Sequence, residues 1–208
     1  MRHRVCKRSQ SDCHTIPPQI RASMAMNESY LIGVISEVPE IIELLEILKD
    51  MELPGHYLAG GSVTQAIWNR KLGNLPLHKV KDFDVIYFDE EQEITELQIE
   101  VEIEAKKSFE IPVDVKNQAN VHEWYGKKFG NDIEPLKKSE DGIRMWLPCF
   151  AVGVRLEGRE IKVFAPYGLE DQSNMLIRPN KLTMSKQNYD SMNRSFKQRW
   201  PSLEIKEW

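Results

Sequence analysis

The chain has 208 residues, 41% of them hydrophobic and 29% charged, with a formal net charge of -4. That length is enough to bury one substantial core, and the acidic balance excludes a protein that coats nucleic acid through a broad basic face. No run approaches the roughly 18 consecutive apolar residues of a membrane span.

Residues 1–25 read as a disordered basic tail, rich in Arg, Ser and Pro and poor in core residues. The stretch starts with the positive charge of a signal peptide but continues into no apolar region, so a cytoplasmic protein without a membrane partner is expected. Met24 or Met26 is a candidate natural start. Cys6 and Cys13, with His3 and His14 nearby, match no closed zinc-ligand spacing. Together with Cys149 they make an odd, sparse set that is expected to stay reduced.

Residues 26–208 are expected to form a single α/β domain. Leu31, Ile32, Val34 and Ile35, then Ile41, Ile42, Leu44, Leu45, Ile47 and Leu48, recur at helical spacing around Pro39 and predict two consecutive helices. Pro39 suits the first turn of the second, where a missing N–H costs nothing. A short strand over His56 to Ala59 follows, then a helix from Ser62 to about Lys71 with Val63, Ile67 and Leu72 on its apolar face. "DVIYFD" is almost continuously apolar between its aspartates, as a strand buried on both faces should be. Glu91 to Lys107 reads as an acidic surface helix with Ile94, Leu97, Val101 and Ala105 at helical spacing. "IPVDV" is a third strand, while "NQANVHEWYG" and "SEDGIRMWL" are short helical pieces. "CFAVGVRLEGREIKVFAP" predicts a hairpin turning at "LEGRE". The closing helix carries Tyr189, Met192 and Phe196 and stops before Pro201. These elements imply a mixed sheet of about five strands flanked by helices.

Three places in this plan carry possible chemistry. Gly60-Gly61-Ser62 stands at a strand-to-helix turn, where glycine lets the backbone approach a ligand and the helix N-terminus favours phosphate; the same pair also serves as ordinary turn punctuation. It matches neither of the two commonest phosphate-binding glycine patterns. Asp82 and Asp84 are two apart, so in a strand they share a face, with Cβ atoms about 7 Å apart. Such a pair can converge on hard divalent ions, and it can equally be a solvated strand opening. Asp114 lies inside a strand, where a charge is costly unless paired or metal-bound; facing water beside Lys116 is its alternative. Three carboxylates on neighbouring strands suit two magnesium ions roughly 3.5 to 4 Å apart, with Asp114 also placed to accept a proton.

Of the remaining polar residues, Lys116, Asn117 and Gln118 follow the third strand, where they can contact a nucleotide or cap the next turn. Arg70, Lys71, His78, Lys79 and Lys81 form a basic connector near the same mouth, and a solvated loop is the plainer reading of them. His122-Glu123 lacks the second histidine of a zincin helix. Cys149, Trp124, Trp146 and Trp200 are expected to be packing residues.

The run from Gly60 to Asp89 resembles the nucleotidyltransferases of the DNA polymerase beta type, above all the head domain of CCA-adding enzymes, whose pattern is G-G-x-V-R-D, a helix, then D-x-D. Gly60, Gly61, Val63, Asp82 and Asp84 match; Thr64-Gln65 stands where that pattern has Arg-Asp. Residues 29–203 are also similar to small stand-alone bacterial nucleotidyltransferase-like proteins, through "VKNQANVH", "AVGVRLEG" and "FAPYGLEDQ" among others. The resemblance implies transfer of a nucleoside monophosphate from a nucleoside triphosphate to a hydroxyl acceptor (RNA, protein or small molecule), with Mg2+ or Mn2+ held by Asp82, Asp84 and Asp114. The domains that grip transfer RNA in CCA-adding enzymes have no counterpart here, so CCA addition is not expected.

Overall fold

A computed structural model describes residues 27–208. The expectations for the N-terminal tail, its cysteines and its histidines lie outside the described residues.

Two helices come first, α1 (Glu28–Ser36) and α2 (Pro39–Asp50), with Asn27 capping the first and Pro39 opening the second. Their aliphatic stripes, including Leu31, Ile35, Ile41 and Leu45, are fully buried. β1 (Tyr57–Ala59) leads into α3 (Gly61–Leu72), which is buried on all sides from Ser62 to Asn69. The single apolar face expected for α3 is thus too narrow, and Leu72, assigned to it, is exposed. Beyond Asn69 the helix leaves the core, so its last turn meets water.

β2 (Phe83–Tyr87) is followed by α4 (Glu96–Lys106), which a Thr95–Gln98 capping box starts later than the sequence suggests. The stripe that faces the core is also a different one. Ile99 and Ile103 are buried, whereas Ile94, Leu97 and Val101 are exposed. The reason lies in β3 (Val113–Asn117), an edge strand whose N–H groups would otherwise be orphaned. Glu100 accepts from the Val115 N–H at 2.9 Å and Glu96 from the Asn117 N–H at 2.7 Å. Those two glutamates fix the rotation of α4, and with it which apolar residues turn inward.

After a 3-10 turn at Gln118–Asn120 come α5 (His122–Phe129) and α6 (Ser139–Met145). The hairpin of β4 (Gly153–Glu157) and β5 (Glu160–Phe164) turns at Gly158-Arg159. α7 (Glu170–Asn174) precedes a two-stranded parallel pair, β6 (Leu176–Ile177) with β7 (Glu204–Ile205), that brackets α8 (Lys186–Arg199). Neither α7 nor this pair is signalled by sequence periodicity, because each is too short to show one.

The five-stranded sheet has the order β3-β2-β1-β4-β5, mixed as expected: β2 and β3 run parallel and every other pair antiparallel. One core packs α1, α2, α3 and α4 against the sheet. A second, aromatic core gathers Trp68, Phe150, Tyr189 and Trp200 between α3 and α8. Among the described residues no helix is long and apolar enough to cross a membrane.

Candidate active site

Strand directions decide where the functional side chains meet. β1 and β2 are antiparallel, so the glycine bend leaving β1 lies beside the aspartates that open β2. β3 runs parallel to β2 and brings Asp114 to the same end. In register, Ala59 pairs with Asp84 and Asp84 pairs with Asp114, forming one rung across three strands. Adjacent strands are about 4.8 Å apart, so Asp84 and Asp114 stand side by side on one face. Asp82, immediately before β2, is exposed at the mouth.

Electrostatics in this corner are strained by like charge. Burial pushes the Asp84 carboxyl up to about 7, and the charges of Asp82 and Asp114 add to the rise, while a hydrogen bond donated by the Gly61 N–H opposes it. Lys116, two residues along β3 from Asp114, bonds to the Asp114 carboxylate and stands 3.7 Å from Glu96. Burial works against the Lys116 ammonium, yet its bond to Asp114 and the charges of Asp114, Glu96 and Glu100 hold its pKa above the ordinary lysine value. Among the described residues no three His, Cys, Asp or Glu side chains close into a ready-made ion cage. The donor chemistry nonetheless suits a hard divalent cation: three carboxylates stand at one corner, and burial, with the like charges of the other two, keeps one of them from ionising. Asp114 has to leave Lys116 to join them.

Gly60 takes φ +74°, and a Cβ there would lie 2.6 Å from the ring of Trp146. The bend is therefore closed to any side chain by conformation and by packing. Gly60, the N-cap of α3, has no side chain to offer; the Asp84 carboxyl takes the Gly61 N–H instead, and the Thr64 N–H bonds the Gly60 carbonyl at 3.3 Å. Ser62 is buried, its hydroxyl has no partner, and it does not reach the cavity wall.

The acids, Gly60 and Gly61 line a cavity of about 350 Å3. Its other walls come from α5, the segment around Trp146 and α8, with Trp124, Tyr125, Phe150 and Phe196 among them. Trp124 and Trp146 pack as expected against apolar clusters but are only partly buried and also line this space; Trp200 and Cys149 are buried as expected. Of the basic connector only Lys81 reaches the cavity. Arg70 pairs with Glu37, and Lys71 donates to the Ser173 carbonyl. Lys116 lines the cavity, but Asn117 does not. The Asn117 amide braces the loop after β2, donating to the Asp89 carbonyl at 2.6 Å and accepting from the Asp89 N–H at 3.0 Å.

Sequence reasoning missed Gln65, Lys128 and Arg199 as cavity residues. Gln65 sits where the CCA-adding pattern has Asp, is 5% exposed, and its Oε1 has no hydrogen-bond partner. That departure from the pattern was its signal. Thr64, in the Arg position, is turned away and donates to the Cys149 carbonyl at 2.7 Å.

Comparison with known proteins bears on the fold and the family. No curated protein matches the chain. An NMR structure described as revealing a CCA-adding enzyme head domain superposes with a TM-score of 0.71 at 25% identity, covering 88% of this chain and 97% of that one. A structure of tRNA-processing enzyme complex 3 aligns with a TM-score of only 0.44 at 16% identity, over 78% of this chain and 43% of that one. Residues 46–205 match the profile of a family described as Nucleotidyltransferase. The chain therefore belongs to that nucleotidyltransferase family and carries the fold of a CCA-adding enzyme head domain.

Proposed function

We propose that the protein transfers a nucleoside monophosphate from a nucleoside triphosphate to a hydroxyl-bearing acceptor, releasing pyrophosphate, with Mg2+ or Mn2+ bound by Asp82, Asp84 and Asp114. The observation that carries this reading is the rung that sets Asp84 beside Asp114, with Asp82 and the glycine bend at the same end of the sheet. Bound divalent ions would neutralise phosphate charge and clamp the attacking and leaving oxygens. The positive end of α3, which meets the cavity at Gly60 and Gly61 with Ser62 behind them, faces the triphosphate. Asp114 accepts the acceptor hydroxyl's proton once its carboxylate is free of Lys116. Catalysis is then mostly positioning and charge stabilisation inside a cavity that limits water.

The test is pyrophosphate release from labelled nucleoside triphosphates in the presence of cell extract, which supplies the acceptor. Asp84→Asn should lower the rate about 100-fold or more without lowering the melting temperature of the metal-free protein, and a chelator should abolish it. Wild-type turnover in Asp84→Asn would remove the mechanism.

A second reading, a nucleotide-binding module that does not catalyse, is favoured by one observation: Lys116 occupies Asp114. Calorimetry with each nucleoside triphosphate and Mg2+ separates the two, since binding without pyrophosphate release supports the module.

A further inference from the structure

Beyond the aspartates and Lys116, three cations line the same cavity: Lys81, Lys128 and Arg199. Among the described residues none of the three lies within ion-pair distance of a carboxylate. Arg199 is the most constrained. Its half-buried guanidinium lies 4.7 Å from the Phe196 ring centre and 4.8 Å from that of Trp200. One nitrogen, Nη1, donates to the Lys79 carbonyl at 3.2 Å, while the Nε donor is buried without an acceptor.

Its support is rigid. The neighbouring Trp200 donates from Nε1 to Asn69 Oδ1 at 3.0 Å and meets Trp68 edge-on at 5.6 Å, which fastens the end of α8 to α3. Lys128, in the last turn of α5, lies 5.3 Å from the Trp124 ring centre. Lys128 is near enough to Asp84, and Arg199 to Asp82, for each pair of charges to act on one another.

A half-buried guanidinium with an unmet donor costs stability, and aromatic faces offset only part of that. The arginine fork matches phosphate oxygens in geometry as well as in charge. A ligand that satisfies this cavity must bring metal-binding oxygens to the aspartates and further negative charge to these cations, which describes a metal-bound polyphosphate. We infer that Arg199, assisted by Lys128, binds the phosphate chain of the nucleotide from the helical wall of the cavity. The inference rests on the nucleotidyltransferase reading for the identity of its ligand.

Calorimetry on the full chain with Mg2+ and, in turn, tripolyphosphate, ATP and AMP tests it. Arg199→Met keeps a stem to pack between Phe196 and Trp200 but removes the charge and the donors. Tripolyphosphate and ATP affinity should fall about ten- to a hundredfold, AMP affinity less, with the melting temperature held. Lys128→Met, at an exposed position, should cost a few-fold. Where Arg199→Met melts early, Arg199→Lys keeps the stem and charge without the fork and should still weaken tripolyphosphate severalfold.

Three results would overturn the inference: tripolyphosphate binding unchanged in the variant, equal losses for AMP and ATP, or no polyphosphate binding by the wild type. Arg199-dependent tripolyphosphate binding in a wild type that releases no pyrophosphate from any nucleoside triphosphate would leave the inference standing and remove the transfer reaction instead.

Discussion

Asp84 concentrates the conflict between stability and site chemistry. With its carboxyl at about 7 in the folded chain and near 4 in the unfolded one, the native state binds the proton more tightly across that interval. Stability of the metal-free protein therefore falls as pH rises from about 4 to about 7 and levels off above, because the unfolded chain ionises first. Asp84→Asn carries no such charge. Urea denaturation without metal should show the variant's advantage over wild type growing through that window to the order of a few kcal/mol. Adding Mg2+ at pH 8 should narrow or reverse it, since only the wild type retains the full carboxylate set. An advantage that does not change with pH would mean that burial and the acidic neighbours do not hold Asp84 neutral. In the sequence Asp82, Asp84 and Asp114 were legible as a group, because strand alternation and strand propensity act locally. The hold of Lys116 on Asp114 was not, since which cation a carboxylate takes depends on rotamers and on Glu96 and Glu100 from another element.

At the level of elements, the turn from β1 into α3 sets the position of everything else in the site. Its glycine does two separable things: it adopts φ +74°, and it leaves room for Trp146, whose ring a Cβ would approach to 2.6 Å. Gly73 at the other end of α3 is a partial control: its φ of +70° goes with ψ 22°, the ordinary left-handed region, against ψ -127° at Gly60, and nothing lies within 4 Å of its Cβ position. Gly60→Ala should cost about 2 kcal/mol or more, conformational strain plus overlap, and Gly73→Ala about 1 kcal/mol from conformation alone. Chemical denaturation of both variants measures the difference, and equal losses would show that Trp146 yields freely. Strand-to-helix punctuation made this turn readable from the sequence, as did the hairpin at Gly158. The orientation of α4 was not readable: two stripes of apolar residues compete along it, and the choice is made by Glu96 and Glu100 reaching the edge of β3.

For the molecule as a whole, α3 is the member shared by both cores. Val63 and Ile67 pack with the sheet, while Trp68 packs with the α8 cluster. The cavity is walled by residues of the second core on one side and by the glycine bend at the start of α3 and the acids on the other, so the relation of α3 to α8 fixes how far the cations of one wall stand from the acids of the other. That relation runs through Asn69, which is fully buried. Its amide donates to the Pro76 and His78 carbonyls, each at 2.9 Å, and its Oδ1 accepts from Trp200 Nε1 at 3.0 Å. Residues far apart in sequence converge here, which is why nothing near Asn69 advertised it: a polar residue on an amphipathic helix reads as solvent-facing until the second core is known. Asn69→Ala leaves the buried Trp200 donor unpaired and frees the loop at Pro76 and His78, whose exposed residues can turn their carbonyls to water, so a loss of about 1–3 kcal/mol is expected in urea denaturation. Asn69 does not line the cavity, and any effect on ligand must pass through α8. If Arg199 is positioned by this bond, tripolyphosphate affinity should fall in Asn69→Ala under conditions where the variant is still folded, and Arg199→Met should add little further loss in that background. Full additivity of the two substitutions would instead mean that α8 keeps its place without the hub, and that packing around Trp68 alone holds the cavity's two walls in register.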